Sequence, residues 1–184
     1  MPTDTRERIL RALRHLLATG GTDAVTLEAV AAQAGVSKGG LLYHFPSKAA
    51  LYAGLLDAVR DSVRREMAEA TERSGAARGF LEYSEPTEDD EAGFFTSLIA
   101  AVRTGSSAEA GTGTETDGVG PGEQLVEIFR EWEDPMRAAV PDPVQAEIIR
   151  LVGYGLYFGA LAGLPPVPDT LLTQVFDRVL DEPS

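Results

Sequence analysis

Within the dozen residues from Ser37 to Lys48 the chain gathers two lysines (Lys38, Lys48), a serine hydroxyl (Ser37), the phenol of Tyr43, the imidazole of His44 and a glycine, Gly39. Lysine is a cation for phosphate or guanine, tyrosine brings a hydroxyl and a flat face, and glycine permits close backbone approach. These groups suit a polyanionic, hydrogen-bonding surface. They do not suit bond-breaking chemistry: the chain has no cysteine, which excludes disulfides, thiolate metal sites and cysteine nucleophiles. Its two histidines, His15 and His44, both lie in the first 50 residues, and no acid pair or nucleophile stands in a recognisable catalytic setting. The expectation is a protein that is not an enzyme and needs no cofactor.

The elements that must position these side chains are short helices. Ile9, Leu13, Leu16 and Leu17 recur at helical spacing from Asp4 to Ala18, and Gly20-Gly21 ends that helix. Thr26 reads as the N-cap of a second helix that runs through Ala34 and stops at Gly35; Ser37 caps a third from Lys38 to about His44. None of the three can bury much alone, so Val25, Leu27, Val30, Ala31, Val36, Leu41 and Phe45 must share one small core with the first helix. In a helix-turn-helix the first helix needs a small residue at the crossing and the turn needs one that tolerates positive φ. Ala31 and Gly35 stand in those places, Val36 would plug the angle, and the N-terminus capped by Ser37 would leave backbone N–H groups for phosphate.

The run TLEAVAAQAGVSKGGLLYHFPSKAAL, residues 26–51, resembles the DNA-binding domain of the tetracycline-repressor (TetR) family, whose recognition segment commonly ends in Tyr-His-Phe followed by Pro/Ser and Lys. The resemblance covers about the first 55 residues. It implies that Thr26, Ser37, His44 and Lys48 touch the phosphate backbone, and that Lys38, Gly39 and Tyr43 lie nearest the major groove. Gly40 and Leu42 depart from the more polar choices common in the family, which thins direct base readout and leaves room for DNA shape. Phe45 belongs to the core and His15 to a solvated helix surface.

The net charge of −13 at first contradicts a DNA partner, but its distribution does not. Residues 1–50 carry six basic groups (Arg6, Arg8, Arg11, Arg14, Lys38, Lys48) and four acidic ones (Asp4, Glu7, Asp23, Glu28), so they are +2 and the other 134 residues −15. A basic end is steered to phosphate while an acidic body is repelled from it. Two parts are therefore expected: a helix-turn-helix domain over 1–47 and a helical body over 48–184.

The fourth helix starts near Lys48, and Tyr52, Leu55, Leu56, Val59, Val63 and Met67 form a stripe that lasts until about Thr71. A helix start or short helix over 76–83, an acidic loop from Glu85 to Glu91 and a helix from Phe94 to Val102 follow. Thr104 to Gly122 reads as a surface loop, and helices resume at Glu123 to Arg137, Pro143 to Gly163 and Asp169 to Leu180. No alternating strand pattern occurs, so the fold is all-α: a three-helix DNA-binding domain joined by a long helix to a ligand-binding and dimerisation domain. The glycines of 111–122 follow no strand and precede no Gly-Lys-Ser/Thr, so they make no phosphate loop, and the run Glu88-Asp89-Asp90-Glu91 is a solvated charge cluster, with no metal implied.

The segment IIRLVGYGLYFGALAGL, residues 148–164, is apolar on nearly every face, which a helix tolerates only when surrounded. Gly155 and Gly159 leave a smooth patch for a second helix, and the next helix offers Leu172, Val175, Phe176 and Val179. This pair resembles the final helices that form a four-helix dimer interface in the family. Phe94, Phe95, Phe129, Trp132, Tyr154 and Tyr157 are candidates for an effector pocket, set between the fourth helix and the segments 94–102 and 123–137. Taken together, the expectation is a cytoplasmic homodimer that binds a near-palindromic double-stranded operator and leaves it when a small molecule enters the body. The alternative is an architectural or adaptor protein that uses the same helix-turn-helix with no effector.

Overall fold

The computed structural model describes residues 4–85, 89–104 and 120–180. Among them the chain forms nine α-helices and no strand, so the all-α expectation is borne out. The helices are α1 (Thr5–Gly20), α2 (Leu27–Ala34), α3 (Lys38–His44), α4 (Lys48–Ser74), α5 (Ala76–Tyr83), α6 (Asp89–Thr104), α7 (Pro121–Ala139), α8 (Pro143–Leu161) and α9 (Asp169–Val179), with a 3-10 turn at Thr22–Ala24 between the first two. Residues 105–119, most of the stretch read as a loop, lie outside the described residues, as does Glu88 of the acidic run. No described helix is long and apolar enough to cross a membrane.

By contacts the chain divides into two units, Met1–Val59 with Glu88–Glu127 and Arg60–Thr87 with Ile128–Ser184. The boundary therefore falls inside α4, between Val59 and Arg60.

In the first unit, α1 is the element on which the others pack. Asp4 caps it by accepting from the Arg6 amide, and Ile9, Leu10, Leu13 and Leu17 on its inner face are buried. Val25, Val30, Leu41, Phe45, Leu51, Tyr52, Leu55 and Leu56 complete the same core. Helix α6 lies against α1, closely enough that a Cβ on Gly93 would stand 3.0 Å from the Ala18 carbonyl oxygen, and the Arg14 guanidinium sits 4.4 Å from the centre of the Phe94 ring. The helix begins at Asp89, five residues before the apolar pattern starts, because a buried stripe marks only the turns that face a core.

The second unit is built on α5, the C-terminal part of α4, most of α7, and α8 and α9. Gly79 of α5 comes within 2.9 Å, at its would-be Cβ, of the Ala70 backbone in α4. Gly153 of α8 does the same to α5: a Cβ there would collide with the Phe80 ring and stand 2.6 Å from the Ser84 hydroxyl. Arg64 is paired with Glu131, its Nε donating at 3.1 Å, and Arg78 is paired with Asp177. Met67, Phe80, Leu81, Ile128, Trp132, Met136, Ile149 and Phe176 are buried.

Candidate nucleic-acid interface

The turn between α2 and α3 is set by backbone chemistry. Gly35 adopts φ 65° and ψ 39°, its amide donates to Ala32 O at 3.1 Å, and the Val36 amide donates to Ala31 O at 3.0 Å. This pair of bonds closes α2 as a Schellman motif, and only glycine takes that conformation without strain. Arg8 of α1 locks the turn from outside: its Nη2 donates to Ala34 O at 2.7 Å and Gly35 O at 3.2 Å. The two caps stand as the sequence places them. Thr26 Oγ1 accepts from the Ala29 amide and Ser37 Oγ from the Gly40 amide, both at 3.0 Å.

Helix α3 is anchored by one side chain, Leu41, which is fully buried; Phe45, just beyond it, is buried as well. Lys38, Gly39 and Tyr43 of α3 are exposed, while Gly40, Leu42 and His44 are partly covered. Tyr43 is 86% exposed, an unusual position for a large aromatic side chain, and its ring meets the His44 ring edge-on at 5.3 Å. Ser37, Lys38 and Gly39 are exposed too, so α3 shows one face bearing a hydroxyl, a cation, bare backbone and a phenol. That combination can meet the phosphates and base edges of a duplex and has no other evident chemistry.

The cations are already engaged. Lys38 Nζ is 2.6 Å from Glu28 Oε1, and this hydrogen bond holds the Glu28 carboxyl below the usual carboxylate range. Lys48 Nζ donates to Val25 O at 3.0 Å and lies 5.9 Å from the Tyr52 ring centre, tying the start of α4 to the residue just before the Thr26 cap. Thr26, Ser37, Lys38, Gly39, Tyr43 and His44 thus sit on or beside α2 and α3, while Lys48 is part-buried and doubles as a structural tie.

Of the six aromatic residues read as pocket lining, Phe94 and Phe95 meet edge-on in the first unit, at 5.0 Å between centroids. The other four cluster in the second unit around Trp132, whose ring centre lies 5.9 Å from Phe129, 5.3 Å from Tyr154 and 5.0 Å from Tyr157. Phe80, at 5.2 Å from Trp132, and Tyr83, at 6.2 Å, join the same cluster. The Trp132 Nε1–H is buried and has no hydrogen-bond partner among the described residues. Tyr154, half-buried, hydrogen-bonds Glu133, and burial with that carboxylate raises its phenol well above the ordinary range.

The face of α8 that stays bare is specific. Val144, Ile148, Leu151, Gly155 and Phe158 follow at spacings of four, three, four and three, and all are exposed, Leu151 to 58%. A Cβ on Gly155 would meet nothing within 4 Å. Leu171 of α9 is exposed as well, whereas Leu172 and Phe176, offered by the sequence as interface residues, are buried within their own unit.

Residues 9–55 match the family described as bacterial regulatory proteins, tetR family, and residues 122–182 match the tetracyclin repressor-like C-terminal domain. The nucleoid occlusion factor SlmA of Photobacterium profundum is 45% identical over 62 residues, 33% of this chain and 32% of that protein. The chain thus matches about a third of the length of this curated relative. Two solved structures are similar over nearly the whole chain. A transcriptional regulator from Rhodococcus sp. Rha1 has a TM-score of 0.65 at 23% identity, covering 97% of this chain and 95% of its own. The multidrug binding protein EbrR complexed with ethidium has a TM-score of 0.66 at 20% identity, covering 98% and 100%.

Proposed function

Because this chain belongs to the tetR family of bacterial regulatory proteins, a family of DNA-binding transcription regulators and not of enzymes, we propose that it is a homodimeric repressor released from its operator by a small molecule. The observation that carries the DNA half of this reading is the outward face of α3, where Tyr43 is held in solvent next to Lys38 and Gly39 by the buried Leu41. Thr26, Ser37, His44 and Lys48 are the phosphate-facing residues of the proposal. The Tyr43 phenol offers a hydroxyl and a flat face to base edges and phosphates beside the lysine and the bare backbone of Gly39.

Dimerisation is supported by the bare apolar row on α8. A second copy of the same row, related by a twofold axis, would cover it, with Gly155 allowing close approach. Two recognition helices would then enter successive major grooves of a near-palindromic site. The effector half is supported by the ring cluster about Trp132, Phe129, Tyr154 and Tyr157, where an unpaired indole N–H awaits an acceptor. Phe94 and Phe95 belong to the first unit, so the reading gives them a lesser part. EbrR, with the same fold, is a structure holding ethidium, a flat aromatic ligand of the kind such rings can stack on.

Enrichment of bound duplexes from a random DNA pool tests the proposal. A near-palindromic sequence should emerge, and the combined alanine variant of Lys38, Tyr43 and His44 should lose it while remaining folded. Recovery of no preferred sequence, or unchanged affinity in the triple variant, rejects the assignment. A second reading, a helix-turn-helix protein that works with no effector, is favoured by the match to nucleoid occlusion factors. It predicts that no small molecule shifts the thermal stability of the second unit.

A further inference from the structure

We propose that the groove between α1 and α2 is a phosphate-binding site formed by Arg11, His15 and Gln33, and linked through Arg8 to the turn that precedes the recognition helix. The groove is a shallow, solvent-open depression of about 300 Å³ lined by Arg8, Arg11, Ala12, His15, Gln33 and Ala34. Ala12 and Ala34 are buried and make its floor, and the four polar side chains make its walls. Arg8, Arg11 and His15 follow at spacings of three and four, which puts them on one side of α1.

Three properties favour an anion there. No carboxylate lines the groove, in a chain whose net charge is −13. Among the described residues, the side chains of Arg11, His15 and Gln33 make no hydrogen bond or ion pair, although all three are exposed and free to reach a ligand. The donor set also suits phosphate better than carboxylate. Donors approach a carboxylate mainly in one plane at two oxygens, whereas the tetrahedral oxygens of a phosphate group accept from several directions and carry more charge, which fits guanidinium, imidazole and amide groups converging from two helices.

Arg8 gives occupancy a consequence. Its Nη2 holds Ala34 O and Gly35 O, the last carbonyls before Val36 and the Ser37 cap. An anion that draws the Arg8 guanidinium towards Arg11 pulls against those two bonds and therefore on the turn that aims α3. The phosphate has two possible sources, the operator backbone or a free phosphorylated compound. The first source rests on the DNA-binding reading above; the second does not.

The test uses the full chain and the double variant Arg11→Gln, His15→Gln. Both positions are exposed, so the fold should hold, as thermal unfolding would verify; Arg11→Lys serves as the charge-preserving control. In one arm, operator affinity is measured against salt. If the phosphate is the duplex's, the double variant lowers the slope of log K on log salt by about one per lost contact and weakens specific and non-specific DNA alike. In the other arm, inorganic phosphate is titrated without DNA against chloride of matched ionic strength, and the amide shifts of Gln33 and Gly35 are followed. Saturable shifts that the double variant lacks assign the site to a free phosphate. Should the wild-type chain bind no operator, the function reading fails and the second arm alone decides. An unchanged salt slope together with phosphate shifts no larger than those in chloride overturns the proposal.

Discussion

Lys38 Nζ and Glu28 Oε1 stand 2.6 Å apart, so the only lysine or arginine of the recognition helix is held by an acid of the preceding helix. The pair is exposed on both sides, and in water such a pair contributes little to stability. In the proposed complex its effect is on binding: DNA would compete with Glu28 for the lysine and face the carboxylate as well.

Removing that competitor should strengthen binding. Glu28→Gln is expected to raise affinity for all duplexes by up to about fivefold, a modest gain because water already screens an exposed ion pair. Fluorescence anisotropy at roughly 0.1 M salt, where the screening length is still about 10 Å, checks this. A fall in affinity would show that the pair positions Lys38 for DNA instead of withholding it.

A second expectation concerns alkaline stability. Tyr52 is fully buried, its hydroxyl has no hydrogen-bond partner among the described residues, and burial pushes the phenol from 10.0 up to about 12. The folded state thus keeps a proton that the unfolded state releases near pH 10. Stability from this group is fully present below pH 10 and is lost as pH rises towards 12, by roughly 2 to 3 kcal/mol. Tyr52→Phe should abolish that loss and, by removing an unsatisfied hydroxyl, stabilise the chain at about pH 7 by about 1 kcal/mol. Urea unfolding at neutral pH and at intervals up to the folded-state value decides the matter.

Leu151→Arg should yield a folded monomer, because Leu151 touches solvent in the single chain and a second α8 in the proposed dimer. Losing one of two linked recognition helices should weaken operator binding by roughly a hundredfold or more. Analytical ultracentrifugation gives the mass, and a wild-type chain that is already monomeric at micromolar concentration removes the basis of the expectation.

Trp132 is the single tryptophan of the chain, so its fluorescence reports on the ring cluster without interference. A ligand recovered by thermal-shift screening should alter that emission in a saturable way, and saturating operator should weaken the ligand by the same factor as the ligand weakens DNA, commonly about 5- to 150-fold. Equal ligand affinity with and without operator would leave the two sites uncoupled.

The N-terminal elements were legible almost to the residue because local chemistry alone determines them. Asp4, Thr26 and Ser37 cap their own helices, and Gly35 needs its positive φ whatever surrounds it. What the sequence could not give was the direction of each face in the helical body. In a helix as uniformly apolar as α8, Gly155 and Gly159 look like the points of close approach, yet the glycine with no room for a side chain is Gly153, held against Phe80 and Ser84. Phe176 and Leu151 are equally hydrophobic, and only packing shows that the first is inside and the second out. The groove beside Arg11 leaves no mark in the sequence for a similar reason, since its residues come from two separate helices and form no motif. His15, read as a bystander, is one of its walls.

Gly39 is a place where the fold asks for nothing. A Cβ there would come no nearer than 4.0 Å to any heavy atom outside its neighbours, and that nearest atom is the Ser37 hydroxyl. A glycine inside a helix costs about 1 kcal/mol relative to alanine, so adding a side chain would help α3 to form. If Gly39 faces the duplex as proposed, that position can change without a compensating change anywhere in the core. In evolutionary terms this is an open coding position, from which a duplicated copy of the gene could acquire a new set of target promoters by single substitutions that selection for folding would not oppose.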